Sequence, residues 1–155
     1  MDTLLLVAKC INPDGPDRPG GHKSGEYALF HREGSVKGFL IEQAVHRGHS
    51  HAPTHFKPWF RLETEPPAQA KELLVKVGHG SPYMDGLRYV CFTQRDLWEL
   101  NNMGEKLRVK NAQGSVVGEY TIPADHCDVL PPAPKAPVDI TRPAAGVAGV
   151  FGIPG

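Results

Sequence analysis

The chain has 155 residues and a mass of 16.9 kDa, 40% of its residues are hydrophobic, and its 17 acidic and 17 basic side chains cancel to zero formal charge. This size holds one folded body with its own core. The balanced, interspersed charge excludes the basic stripe of a dedicated nucleic-acid binder, and no apolar stretch approaches the ~20 residues of a membrane-spanning helix.

The pattern is strand-like almost throughout. Thr3–Lys9 is a short apolar run, followed by NPDGPDRPGGHKSG, a long loop of turn-forming residues. Leu4–Ala8 is too short for a secretory leader and has no basic start, so a cytoplasmic product is expected. Glu26–His31 alternates, and Arg32–Ser35 connects it to a long run over Val36–Val45. Lys57–Glu63, Glu72–Val77 and Leu87–Phe92 continue the series, the last two separated by the glycine-rich GHGSPYMDG. One helix is predicted after Thr93, with Leu97 and Leu100 on its apolar edge and Gly104 ending it. Lys106–Lys110 and Ser115–Ile122 flank Asn-Ala-Gln-Gly and predict a hairpin.

These elements predict an all-β fold, mainly strand with one short helix. Without helices between strands, an antiparallel sandwich, jelly roll or barrel of about eight strands is expected, not a parallel α/β sheet. The boundary falls at Leu130, where the composition shifts: residues 1–130 form the β-sandwich body and 131–155 an extended arm. The arm carries six prolines and four glycines, and its proline-rich part favours a polyproline-like path on the order of 40 Å long. Its apolar end supplies Val147, Val150, Phe151 and Ile153 as candidate partner-binding residues. Pro134 and Pro137 also give a PxxP spacing, the signature of a ligand for a proline-recognising groove.

Four of the eight histidines, His46, His49, His51 and His55, lie in HRGHSHAPTH and are the candidate metal ligands. Imidazole is the commonest transition-metal ligand, and three such groups with an open position suit zinc. The His49–His51 pair is similar to the HxH of the cupin metal motif. The glutamate that follows it there is absent, His55 standing near that place, and no second motif is recognisable, so the chain is not assigned to that family. The competing reading is a polar loop whose histidines make hydrogen bonds or meet a partner.

Other chemistry is weaker. Cys10, Cys91 and Cys127 are widely spaced without a CxxC, and nothing in the spacing pairs them or makes them a metal set. His126 and Cys127 are adjacent and point to opposite sides of an extended chain, so they form no dyad. GHGSPYMDG lacks the lysine and following helix of a phosphate loop. Glu63 and Glu65 are expected to be a solvated loop pair, and no catalytic residue is assigned.

The sequence therefore favours a non-enzymatic structural subunit of a large symmetric assembly. A virion is the expected setting, as a tailed-phage head decoration, cement or connector protein made in the host cytoplasm. Its partners would be neighbouring subunits, self or a major shell protein, without nucleic acid or membrane. The alternative is a small metal-dependent enzyme or metal-binding protein using the histidine cluster; apart from that transition metal no cofactor is expected. Histidines at an interface would also make the assembly loosen in acid, equal stability at pH 5.5 and 7.5 being the contrary result.

Overall fold

The computed structural model describes residues 1–11, 25–46, 53–95, 100 and 103–136. Nine strands are formed in chain order: β1 (Thr3–Cys10), β2 (Tyr27–Glu33), β3 (Leu40–His46), β4 (Pro53–Arg61), β5 (Glu72–Lys76), β6 (Tyr83–Asp85), β7 (Arg88–Phe92), β8 (Glu105–Lys110) and β9 (Val116–Ile122). They make a five-stranded sheet ordered β1-β2-β5-β7-β6 and a four-stranded sheet ordered β4-β3-β8-β9. The all-β expectation holds, while neither sheet closes into the barrel considered from sequence. No helix occurs among the described residues; most of the predicted helix lies outside them.

The two sheets share one core. Leu4, Ala28, Phe30, Leu73 and Val75 from the five-stranded sheet meet Ile41, Trp59, Leu107, Val109 and Ile122 from the other. β8 shows the sequence logic directly: Glu105, Leu107 and Val109 are buried while Lys106, Arg108 and Lys110 alternate outward. The predicted hairpin forms between β8 and β9. Asn111 donates its amide to the Ser115 carbonyl (2.9 Å), and its side-chain oxygen accepts from the Gln113 and Ser115 amides.

Two expectations are corrected here. Val36–Val45 is not one strand, because Val36–Phe39 turns before β3 begins: the Phe39 amide donates to the Val36 carbonyl, with Gly38 at φ +87°. The arrangement is also not wholly antiparallel, since β5 and β7 pair in parallel. The chain leaves β5, passes to the sheet edge as β6, and returns between them as β7. The turn is Gly86-Leu87, with Asp85 opposite Arg88 and Gly86 at φ +58°. The Gly-Leu of YMDGLR, with glycine first of the two loop residues, is a hairpin signal that makes this ninth strand legible.

Glu65 is exposed, as expected of the loop pair, and it also fastens the β4–β5 connection to the β2–β3 turn. Its carboxylate accepts from Arg32 Nη2 (2.6 Å), Ser35 Oγ (2.6 Å) and the amides of Val36 and Lys37 (3.1 Å each). Partial burial works to raise its pKa, but these four donors together outweigh it and hold the carboxyl below the ordinary glutamate value of 4.5. A lowered folded pKa means stability that is present above pH 4.5 and lost as pH falls through the folded value. Glu65→Gln is accordingly expected to cost about 1 kcal/mol at neutral pH, a modest figure because the side chain is partly exposed and screened. In urea titrations the gap between variant and parent should close in acid; a gap of constant size down to pH 3 would contradict this assignment.

Candidate interaction surface

The five-stranded sheet is apolar on both faces. β2 is buried at Tyr27, Ala28, Leu29 and Phe30 in succession, and β5 at Leu73, Leu74 and Val75. Alternate residues point to opposite faces, so only half of these serve the shared core. The rest, with partners on β1 and β7, build a second cluster of Ala8, Cys10, Tyr27, Leu29, Leu74 and Val90 on the outer face. Such a face must be covered.

Part of the cover is the chain's own C-terminal segment. After β9 the backbone turns at Pro123–Asp125, and residues 126–136 cross the outer face as a strap. Cys127 and Leu130 pack on the second cluster, with half-buried Phe92 beside them. At the β1 end, the Ile11 amide donates to the His126 carbonyl and the Asp128 amide to the Lys9 carbonyl, both at 2.9 Å. The Lys9 amide donates to Asp128 Oδ2 (3.0 Å), and the Tyr27 hydroxyl donates to the Asp128 carbonyl (2.6 Å). Burial first, then the Asp128 charge, raises the Tyr27 pKa, against a smaller lowering by Arg88, so the phenol remains a donor.

At the far end, Leu87 donates its amide to the Pro134 carbonyl (2.7 Å), and Arg88 Nη2 donates to the Pro132 carbonyl (3.3 Å). Arg88 is only 2% exposed and is neutralised by Glu72, whose Oε1 lies 2.9 Å from its Nε. Gly86 is required here twice over: its φ is positive, and a Cβ would collide with the Pro134 carbonyl oxygen. The first six residues of the arm thus lie against the body's own sheet.

Cys10 and Cys127, given no pairing from sequence, form a disulfide spanning 117 residues of chain. It joins the strap to the end of β1, where the two residues also make an isolated antiparallel bridge. Cys91 is a buried free thiol whose pKa burial pushes up to about 12, so it stays protonated and is a poor nucleophile.

The strap leaves apolar groups uncovered. Leu5 (52% exposed) and Val7 (47%) project outward from β1 on one side of it, and Tyr83 (50%) from β6 on the other. On the strap itself Val129 is 84% exposed.

Elsewhere, a groove of about 530 Å³ runs beside the end of β7, lined by Trp59, Phe60, Tyr89, Phe92 and Arg95 among others. A second, of about 560 Å³, lies between the N-terminus, the β2–β3 turn and the β8–β9 hairpin.

Of the proposed metal ligands, His46 ends β3 opposite Pro53, and His55 lies exposed on β4 opposite Val45. His49 and His51 fall in the intervening connection, outside the described residues. Among the described residues no group of three or more His, Cys, Asp or Glu side chains is placed to hold a metal. Val147, Val150, Phe151 and Ile153 also lie outside the described residues. No helix among the described residues is long and apolar enough to cross a membrane.

Sequence reasoning missed the outer face because it treated EYALFH as alternating. The signal was present: Tyr-Ala-Leu-Phe and Leu-Leu-Val are continuous apolar runs, the mark of strands buried on both sides. Comparison of the chain with protein-family models gives no match, and neither does comparison with curated proteins.

Proposed function

We propose that this chain is a structural subunit of a self-associating assembly, docking through the outer face of the five-stranded sheet. The observation that carries this reading is that face itself: an apolar sheet surface only partly covered by its own strap, with Leu5, Val7, Tyr83 and Val129 exposed. Exposed apolar side chains on both sides of the strap make this face the candidate interaction site. The arm beyond Ala136 would continue over a neighbour, contributing Val147, Val150, Phe151 and Ile153. A virion is the assembly this design suits, with the chain as a decorating, cementing or connecting subunit around a sandwich-like body. That last step rests on architectural analogy. The disulfide adds a condition, since such bonds persist where thiols are not kept reduced.

Native mass tests the reading. The full chain should scatter light as a multiple of 16.9 kDa at micromolar concentration. Leu5→Glu with Val7→Glu should weaken that association at least tenfold, because each side chain, if buried, contributes about 1.5–3 kcal/mol. Both positions point away from the core, so the monomer should keep its unfolding midpoint. A parent chain that is monomeric at all concentrations would overturn the proposal.

A further inference from the structure

We infer that the outer face of the five-stranded sheet is also the docking site for the strap of a second copy of this chain, closed by a Cys10–Cys127 disulfide between subunits. This rests on the assembly reading above and specifies how neighbours are joined.

The strap is separable from the sheet it emerges from. It follows β9 of the four-stranded sheet, yet its hydrogen bonds described above go to Lys9, Ile11, Tyr27, Leu87 and Arg88 of the five-stranded one. The turn at Pro123–Asp125 connects the strap to β9. Asp125 sits there at φ +58°, a left-handed conformation that costs energy for a residue with a side chain. Once the chain's own Cys10–Cys127 bond is opened, opening the turn releases that strain and lets the strap extend from its own body. A short strained hinge of this kind favours exchange of a terminal element between identical copies.

Exchange preserves the strap's contacts with the sheet. A neighbour's Leu130 would fill the same apolar site, its Asp128 would meet the same Tyr27 and Lys9, and its Pro132 and Pro134 carbonyls the same Arg88 and Leu87. The balance is then set by the hinge and by local concentration. An isolated chain keeps its strap, whereas neighbours held together by Leu5 and Val7 raise the effective concentration enough for exchange to compete. The strap's last described hydrogen bonds are to Leu87 and Arg88, and nineteen residues follow Ala136 in the sequence.

The covalent step is thiol–disulfide exchange. A glutathione thiolate first attacks the partly exposed Cys127 sulfur of the existing bond, leaving Cys127 in a mixed disulfide and releasing its own Cys10 as a thiolate. The neighbour's Cys10 thiolate then attacks the Cys127 sulfur, forming the intersubunit bond and expelling the glutathione thiolate. One protein disulfide replaces another with no net oxidation; two cysteines that start as thiols instead need one oxidised glutathione, which takes up their two electrons and two protons and becomes two thiols.

Complementation between full-length variants tests this. Cys10→Ala keeps only the strap cysteine of the pair, and Cys127→Ala only the sheet cysteine. Mixed at high concentration in oxidised and reduced glutathione, they should give a covalent dimer of twice 16.9 kDa that dithiothreitol collapses. Peptide mapping should locate a Cys10–Cys127 bond in it. The double variant Cys10→Ala/Cys127→Ala, retaining only buried Cys91, should give none. Glutathione adducts alone, or symmetric Cys127–Cys127 dimers, would overturn the inference. If either variant fails to fold, the parent chain decides: a non-reducing ladder of chain multiples supports exchange, and an oligomer containing only monomer-mass chains overturns it. Light scattering on the same sample separates the two claims. An oligomer without intersubunit bonds overturns strap exchange and leaves the assembly reading standing, whereas a monomer without them overturns both.

Discussion

Replacing Cys10 and Cys127 together by alanine is expected to lower the unfolding free energy by about 2–5 kcal/mol, the larger value matching the chain-entropy cost of closing so long a loop. The bond ties residues 117 apart, so nearly the whole folded body lies within the loop it closes. Its effect resides mainly in the unfolded chain, which gains conformations when the link is cut. Small domains are stable by only about 5–15 kcal/mol, so this is a large share of the total. Urea titration should show a lower midpoint together with a steeper slope, because the unlinked unfolded chain exposes more surface. Dithiothreitol should reproduce the loss in the parent chain and add nothing in the double variant. Each single alanine variant should match the double, since removing either sulfur removes the whole bond. A parent chain whose midpoint is unmoved by dithiothreitol would show that the bond contributes nothing.

That link was the least legible feature of the sequence. A disulfide depends on where two backbones meet in space, and Cys10 and Cys127 meet only because the strap doubles back over β1. Local pattern carried much more about the strands. Leu107 and Val109 alternate with lysine and arginine, and Asn111–Gly114 closes a tight turn, so β8 and β9 follow from side-chain periodicity alone. β6 is three residues long and only its Gly-Leu turn announces it. Glu65 faces water, as proline-flanked carboxylates usually do; its further role needs Arg32 and Ser35, some 30 residues earlier, to arrive at the same corner. The interaction surface lay between these extremes. Its apolar residues are visible in the sequence, but which face each takes depends on register, and what covers them depends on the path of the chain after Ile122.

Glu72→Gln is expected to destabilise the protein by about 3 kcal/mol, more than a charge at a strand end normally would. The reason is its partner. Arg88 is 2% exposed, roofed by the strap, and its guanidinium has Glu72 at 2.9 Å as the neutralising charge. Removing that carboxylate leaves a buried cation facing an amide and the Pro132 carbonyl, and desolvation of the ion is no longer offset. The reverse change costs less, because Glu72 keeps 19% of its side-chain surface in water and can remain ionised without Arg88. The double variant Glu72→Gln/Arg88→Met should therefore recover much of the loss, an apolar side chain of similar length replacing the buried cation beneath the strap. Hydrogen exchange at the Leu87 amide gives a local readout, since that amide is bonded to Pro134 of the strap. In Glu72→Gln it should exchange faster as the strap loosens, and in the double variant it should slow again. Stability within about 0.5 kcal/mol of the parent for Glu72→Gln, a surface-like effect, would mean that Arg88 finds water despite its burial. The strap's far end would then be held by the Leu87–Pro134 bond and the packing of Leu130, and not by the ion pair beneath it.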